Sequence, residues 1–402
     1  MIYNFDEIID RRATNSFNYE GWRSHLFPLE EDLQLPYSDE EFIRMWVADM
    51  EFSSPPPVLD AVRARLDKKI LGYTQVYDKD YLNVLKRWFE KWYQWQIDTD
   101  ELVTAPGIVE ALYRLIPLLT TEEESLLICT PSYAPFYRAG IKNDRRVIFS
   151  PLRVTDGYYE MDFADMKAKI ENPENKVRVF IFCHPHNPTG RVWKREELEQ
   201  LGNICIENNV WLISDEVHCD LLRARERHIP MATVLPDYNR IITCTAASKS
   251  FNLAGNMLSH IMIRDVETRQ LWKKKFNDYH SPLSVVGTQA AYEHGAEWLQ
   301  QLNAYLDLNL QFLKSYLNEH LPLAKYRIPE ATYLAWVDLS PYLSKRGNEP
   351  RWTTYFAKEA GVLIEGGEVF VADGEDYIRI NVACPKATLE EGLRRMADVL
   401  NR

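Results

Sequence analysis

The sequence predicts an α/β protein with a large, mostly parallel sheet domain and a smaller α+β domain. Three observations carry that reading. The chain has 402 residues, 46% apolar and 26% charged, which allows one large or two medium domains at roughly 150 residues each. Between residues 102 and 263, short unbroken runs of Val, Ile and Leu alternate with helical patterns. Such runs mark parallel strands buried on both faces. Beyond residue 285 the alternation gives way to a long helical stretch, two separated strand-like runs and a closing helix.

Taken in order, residues 1–50 are irregular and aromatic-rich and end on MWVADMEF. A helix is expected from Pro55 to Lys69, capped by Ser53-Ser54, with Val58, Ala61, Val62 and Leu66 at helical spacing. LGYTQVYD (71–78) reads as a turn. The next helix places Leu82, Leu85, Phe89 and Trp92 on one stripe. Then come LVTAPG and its helix IVEALYRLIPLL, followed by LLICTP, RRVIFS and VRVFIFCHP with its helix REELEQLGNICIEN. VWLISDE, RIITCTAASK and SHIMI complete the series. The last third holds a long helix ending at SYLNEH, strand-like YLAWVDL and DYIRINV, and the helix LEEGLRRMADVLN. Residues 50–284 are therefore expected to form the large domain, and 1–49 with 285–402 the small one.

Composition narrows the function. The 47 basic and 59 acidic residues sum to −12, which argues against nucleic acid or an anionic membrane as the main partner. Six cysteines fall singly with no C-x-x-C pair, so they read as buried thiols in a reducing compartment. MIYNFDEIIDRR lacks the basic start and apolar core of a signal peptide, and no apolar run approaches the ~18 residues of a membrane span. A soluble, cytoplasmic protein is expected.

Ligands of an open α/β sheet bind beyond the carboxyl ends of its strands, so the residues after each strand hold the chemistry. Pro106-Gly107 and a helix starting at Ile108 offer backbone N–H groups to an anion. Tyr133 follows LLICTPS and could cover a flat ring. Asn187 opens the NPTG turn. Asp215 ends an apolar strand, where a carboxylate is costly without a cation, and His218 lies three residues on. Lys249, after RIITCTAAS, is out of place for a side chain that belongs at the surface. Each feature alone is also ordinary turn or strand-end chemistry. Together they describe a site for a phosphate, a flat ring, a protonated ring nitrogen and an aldehyde within reach of a lysine, the features of pyridoxal 5′-phosphate (PLP).

The segments MWVADMEF, GYTQ, PGIVEAL, PSYAPFY, HPHNPTGRVW, ISDEVHCDL, SKSFNLAG, TYLAWVDL and YIRINVACP run in order from about residue 46 to 385. In them the chain resembles the class I/II aminotransferase superfamily of fold-type-I PLP enzymes, and within it the cystathionine β-lyase-like C–S lyases. The resemblance implies that Lys249 binds the cofactor covalently, Asp215 meets the pyridine nitrogen, and Asn187 meets the phenolic oxygen and the substrate carboxylate. It implies that Tyr133 stacks on the ring and that His218 sits beside it. Ile108, Val109 and Ser248 would hold the phosphate, Tyr73 would reach the phosphate site of a partner subunit in a homodimer, and Arg379 would bind the substrate α-carboxylate. His218, where many aminotransferases have Tyr, favours the lyase branch. Asn18-Tyr19-Glu20 and Phe370-Val371 stand where relatives often have Lys-Trp-Asp and Phe-Gly. The expected reaction is β-elimination from a sulfur amino acid, giving a thiol, pyruvate and ammonia; the alternative is transamination.

Other readings are weaker. His184, His186 and His218 suggest a metal, yet His-Pro-His holds its imidazoles apart and no i, i+4 His pair supports one. A hydrolytic Ser248–Lys249 dyad fails if the segment is extended, because adjacent side chains then point oppositely. A catalytically inactive regulator that keeps the fold would not need the full set of core groups.

Overall fold

A computed structural model of the protein describes residues 2–28, 33–76 and 78–402. Seven strands form one sheet: β1 (Leu102–Ala105), β2 (Ser125–Thr130), β3 (Arg146–Pro151), β4 (Val177–Cys183), β5 (Trp211–Asp215), β6 (Ile241–Thr245) and β7 (Ser259–Ile263). Their spatial order is β1-β7-β6-β5-β4-β2-β3. Only β7 runs against its neighbours β1 and β6; the remaining pairs are parallel. The Val, Ile and Leu runs form these strands because helices cover both faces, and β2, β5, β6 and β7 are buried along their whole length.

The chain winds one way from β2 to β3 and the other way from β4 through β6, so the winding reverses between β2 and β4. A crevice opens at such a reversal. The residues that follow these two strands are those around Tyr133 and Asn187.

A second, antiparallel sheet joins Lys325–Tyr326, Leu334–Asp338, Tyr377–Asn381 and Glu365–Gly366 in that order. The N-terminal Ile43–Arg44 pairs in parallel with Val362–Leu363, which ties the start of the chain to its last third. The helices Ala296–His320 and Lys386–Leu400 pack beside this sheet and bury Leu302, Leu306, Leu310, Leu393 and Met396.

Two local expectations change. The helix expected from Pro55 to Lys69 spans Pro56–Leu66, and Pro55 is its cap residue with no side-chain cap bond. Prolines fix the backbone for the first turn and leave nothing for a serine to cap; Ser54 Oγ instead donates to the Asn252 carbonyl. In the helix Lys79–Tyr93 the buried face is Tyr81, Val84, Leu85, Trp88 and Phe89. Trp92 is turned outward, with the Lys91 ammonium over its ring at 4.9 Å.

Candidate active site

Six strands point their carboxyl ends to one edge of the large sheet, and the candidate residues collect there. Strand register places Asp215 beside Cys183 on one side and Cys244 on the other. The Asp215 carboxylate is therefore held in an apolar wall and is 5% exposed. Burial pushes its pKa up to about 7, against the Val217 N–H and the charge of Lys249, which favour ionisation. Val217 N–H donates to Asp215 Oδ1 at 3.1 Å. A carboxylate in this state gains most from a cationic partner.

Lys249 lies on the short helix Ala247–Ser250 just past β6. The segment is a helical turn and not an extended strand, so the extended-chain argument against a Ser248–Lys249 dyad does not apply. Lys249 Nζ instead donates to the Ala48 carbonyl at 2.6 Å, which also accepts from Tyr333 Oη at 2.9 Å. Burial lowers the Lys249 pKa and Arg379 lowers it further, while Asp49 and Asp215 oppose the shift. A lysine eased toward its neutral form can act as a base.

His218 is buried and held neutral, its pKa pushed down to about 3 by burial with Lys249 and Arg379 adding to the effect. Its Nδ1 has no hydrogen-bond partner among the described residues, and its ring lies edge-on to Tyr333 at 6.4 Å. Tyr133 caps the helix Ala134–Ile141; burial is the main reason its pKa rises to about 12, while the Arg379 charge pulls it down. Gly107 precedes the helix Ile108–Leu119 with an extended backbone and no side-chain cap. A Cβ there would meet nothing within 4 Å, so open space adjoins the free N–H groups of Ile108 and Val109.

Arg379 joins the two sheets. It is 2% exposed, and its Nη1 donates to Asn187 Oδ1 at 3.1 Å and its Nη2 to the Trp46 carbonyl at 3.1 Å. Nη2 also forms an ion pair with Glu365, its partner across the strands. Arg379 Nε is buried without a partner among the described residues.

One chain thus brings Ile108, Val109, Tyr133, Asn187, Asp215, His218, Ser248, Lys249 and Arg379 to the rims of the two sheets. Tyr73 is not among them: it is 94% exposed, with its ring 5.3 Å from that of Tyr279. His184 and His186 do not converge either. His184 Nε2 meets the Ile229 carbonyl at 3.1 Å, and His186 Nδ1 meets Thr189 Oγ1 at 2.8 Å.

Sequence reasoning missed Glu365, Tyr333 and the Ala48 carbonyl. The departures Asn18-Tyr19 and Val371 lie near this rim. Asn18 Nδ2 and Tyr19 Oη donate to Glu51, and Val371 N–H donates to the Ser132 carbonyl at 3.2 Å.

The donor set fits PLP. It offers a lysine eased toward neutrality, a carboxylate in want of a cation, an open helix start for a phosphate, and unpartnered N atoms on His218 and Arg379.

Residues 41–396 match the model of the family described as aminotransferase class I and II. The chain is 34% identical to the cystathionine beta-lyase PatB of Bacillus subtilis over 404 residues, covering 99% of this chain and 100% of the relative. Its structure is similar to that of a PLP-bound C–S lyase from Staphylococcus hominis, with a TM-score of 0.96, 47% identity, and 100% and 98% of the two chains covered. It is also similar to cystalysin from Treponema denticola, a structure containing pyridoxal 5′-phosphate, with a TM-score of 0.91, 29% identity, and 100% and 99% covered.

Proposed function

The chain belongs to the class I and II aminotransferase family, and from that premise we propose that it is a PLP-dependent C–S β-lyase, acting on sulfur amino acids of the cystathionine type to give a thiol, pyruvate and ammonia. The observation that carries the reading is the convergence of Lys249 with the buried Asp215 and Arg379, in a chain that matches a C–S lyase structure along its full length.

When bound, the cofactor supplies a covalent anchor for the substrate amine and a sink for the electron pair left at the α-carbon. Asp215 would hold the ring nitrogen as its carboxylate, a charge state that a cationic partner favours in this buried setting. Ile108 and Val109 N–H groups with Ser248 would hold the phosphate, Tyr133 would stack on the ring, and Asn187 and His218 would meet its oxygen. Arg379 presents its guanidinium to the substrate carboxylate, oriented by Asn187, the Trp46 carbonyl and Glu365. Lys249 Nζ leaves the Ala48 carbonyl, takes the α-proton and delivers it to the departing sulfur as the C–S bond breaks. The low pKa of Lys249 suits both tasks.

A homodimer completes this reading, with Tyr73 of each subunit directed to its partner's phosphate site. Support comes from the exposed apolar residues Ile70, Leu71, Tyr73, Met257 and Tyr279 around it, an unusual surface for a monomer. Six free buried cysteines suit the cytoplasm. We take residues 50–284 as the cofactor-holding unit and 1–49 with 285–402 as its smaller companion, a division supported by the pairing of Ile43–Arg44 with Val362–Leu363.

The test is product analysis with L-cystathionine, with and without a 2-oxo acid. A lyase releases homocysteine, pyruvate and ammonia steadily without an acceptor. Turnover that stops after one equivalent and resumes only with the 2-oxo acid would establish transamination instead.

A further inference from the structure

A second cavity, of about 330 Å³, lies outside the catalytic rim, between the helix Lys79–Tyr93, the start of the helix Ala296–His320 and the loop that follows Val217. Its size is within the range of small-molecule sites. Trp88, Trp92 and Leu299 supply an apolar wall. Arg223, Asn303 and Asp307 supply the polar one. Arg223 Nε lies 3.0 Å from Asp307 Oδ1, yet Arg223 Nη1 and Asn303 Oδ1 are buried without hydrogen-bond partners among the described residues. Burial lowers the Arg223 pKa and raises that of Asp307, and the charge of each opposes the shift of the other; the Arg223 Nη1 N–H groups and Asn303 Oδ1 are the ones left for a ligand.

A cation beside acceptor oxygens complements a carboxylate beside an ammonium, and the aromatic wall complements an apolar side chain. We propose that this cavity is an effector site for an apolar α-amino acid. The carboxylate meets Arg223, the ammonium meets Asn303 Oδ1 and Asp307, and the side chain lies against Trp88, Trp92 and Leu299.

The cavity shares its wall with the catalytic loop. Asp215 and His218 immediately precede the segment from Cys219 to His228 that supplies much of the cavity lining. Asp220 accepts from Trp88 Nε1 at 3.1 Å on the cavity side and from Ser250 Oγ, next to Lys249, at 2.6 Å. Asn303 Nδ2 donates to the Asp220 carbonyl at 2.9 Å. His228, on the same wall, bonds Glu216 at 2.7 Å, next to Asp215. An occupant therefore biases the loop that positions both Asp215 and His218.

The proposal stands without the lyase reading, and its test separates the two. Equilibrium dialysis of the PLP-loaded protein with labelled L-phenylalanine counts all sites, while the visible cofactor spectrum reports the catalytic site alone. The expected result is one equivalent per chain in excess of that seen by the spectrum, accompanied by a change in tryptophan fluorescence. Ala304→Trp, at the exposed mouth, should abolish the excess equivalent. Arg223→Met should weaken it by at least about tenfold, the effect of losing one charge-assisted hydrogen bond. Both variants should keep the cofactor spectrum and far-ultraviolet circular dichroism. No excess equivalent in the unaltered protein, or one that persists undiminished in both variants, overturns the proposal whatever the reaction proves to be.

Discussion

Replacing Asp215 with Asn should stabilise the cofactor-free protein and disable the loaded one. Burial raises the Asp215 pKa from 3.8 to about 7, so the folded chain holds this proton more tightly than the unfolded chain. Stability from this group is then greatest below pH 4 and is lost as pH rises toward 7. At roughly 1.4 kcal/mol per pH decade, the whole gap amounts to about 4 kcal/mol at pH 8, an upper bound. Asn cannot ionise and still accepts from the Val217 N–H, so it avoids that loss. Urea denaturation of the cofactor-free proteins should show D215N more stable by about 2 to 4 kcal/mol at pH 8, with less than half the difference left at pH 5. With PLP restored the order reverses in function, because the ring nitrogen's proton loses its counter-charge, and turnover should fall about 10²- to 10³-fold. A D215N protein no more stable than its parent at pH 8, or one with parental turnover, would refute the argument that this carboxylate is kept buried for a cation.

Lys249→Ala should lose turnover and borohydride-fixable cofactor while its melting temperature stays near that of the parent; near-parental turnover would remove Lys249 from the mechanism. Arg379→Lys keeps the charge but cannot serve Asn187, the Trp46 carbonyl and Glu365 together. Steady-state kinetics should show KM raised about tenfold or more with a smaller change in kcat, and an unchanged KM would assign Arg379 to structure alone.

The sequence exposes the large sheet and its strand-end groups for one physical reason. A strand buried on both faces must be a continuous apolar run, so any polar residue at its end stands out, and Asp215 and Lys249 both end such runs or follow them closely. Contacts made across the fold carry no such local mark. Glu365 sits in IEGGEVF, which reads as a turn; it becomes the partner of Arg379 only through the antiparallel register of Glu365–Gly366 with Tyr377–Asn381. The Ala48 carbonyl that holds Lys249 is a backbone group 201 residues away in the chain, and no side-chain pattern announces it. The helix Lys79–Tyr93 keeps Leu82, Leu85 and Phe89 of the expected stripe toward the core and turns Trp88 inward in place of Trp92 for a related reason. Its aromatic residues are so dense that the periodicity permits more than one stripe, and packing by Phe251 and Tyr292 against Trp88 selects between them.

Segment 45–51 holds the two principal cations of the site at once, since the Trp46 carbonyl accepts from Arg379 and the Ala48 carbonyl from Lys249. Asn381, two residues beyond Arg379 on the same strand, spans the middle of this segment, whose far end is held by Asn252 at Met50 and by the Ala383 carbonyl at Glu51. Asn381 Nδ2 donates to the Val47 carbonyl at 2.7 Å and the Asp49 carbonyl at 2.6 Å, and its backbone N–H donates to Met45 at 3.0 Å. Asn381→Ala removes these two side-chain bonds and the one its Oδ1 accepts from the Ala383 N–H at 2.8 Å, worth about 2 to 4 kcal/mol together in a buried setting, and leaves the Val47 carbonyl with the Asp49 N–H as its donor. Loosening this one strap frees Trp46 and Ala48 together, so substrate binding through Arg379 and proton transfer through Lys249 should fail together. The expected kinetics are a raised KM and a lowered kcat, unlike the KM-dominated change in Arg379→Lys, with bound cofactor retained because Asp215 and the Gly107 turn are untouched. If Asn381→Ala loses stability in urea but keeps both kinetic constants, the segment is a structural tie only, and the two cations are positioned by Glu365 and Asn187 without it.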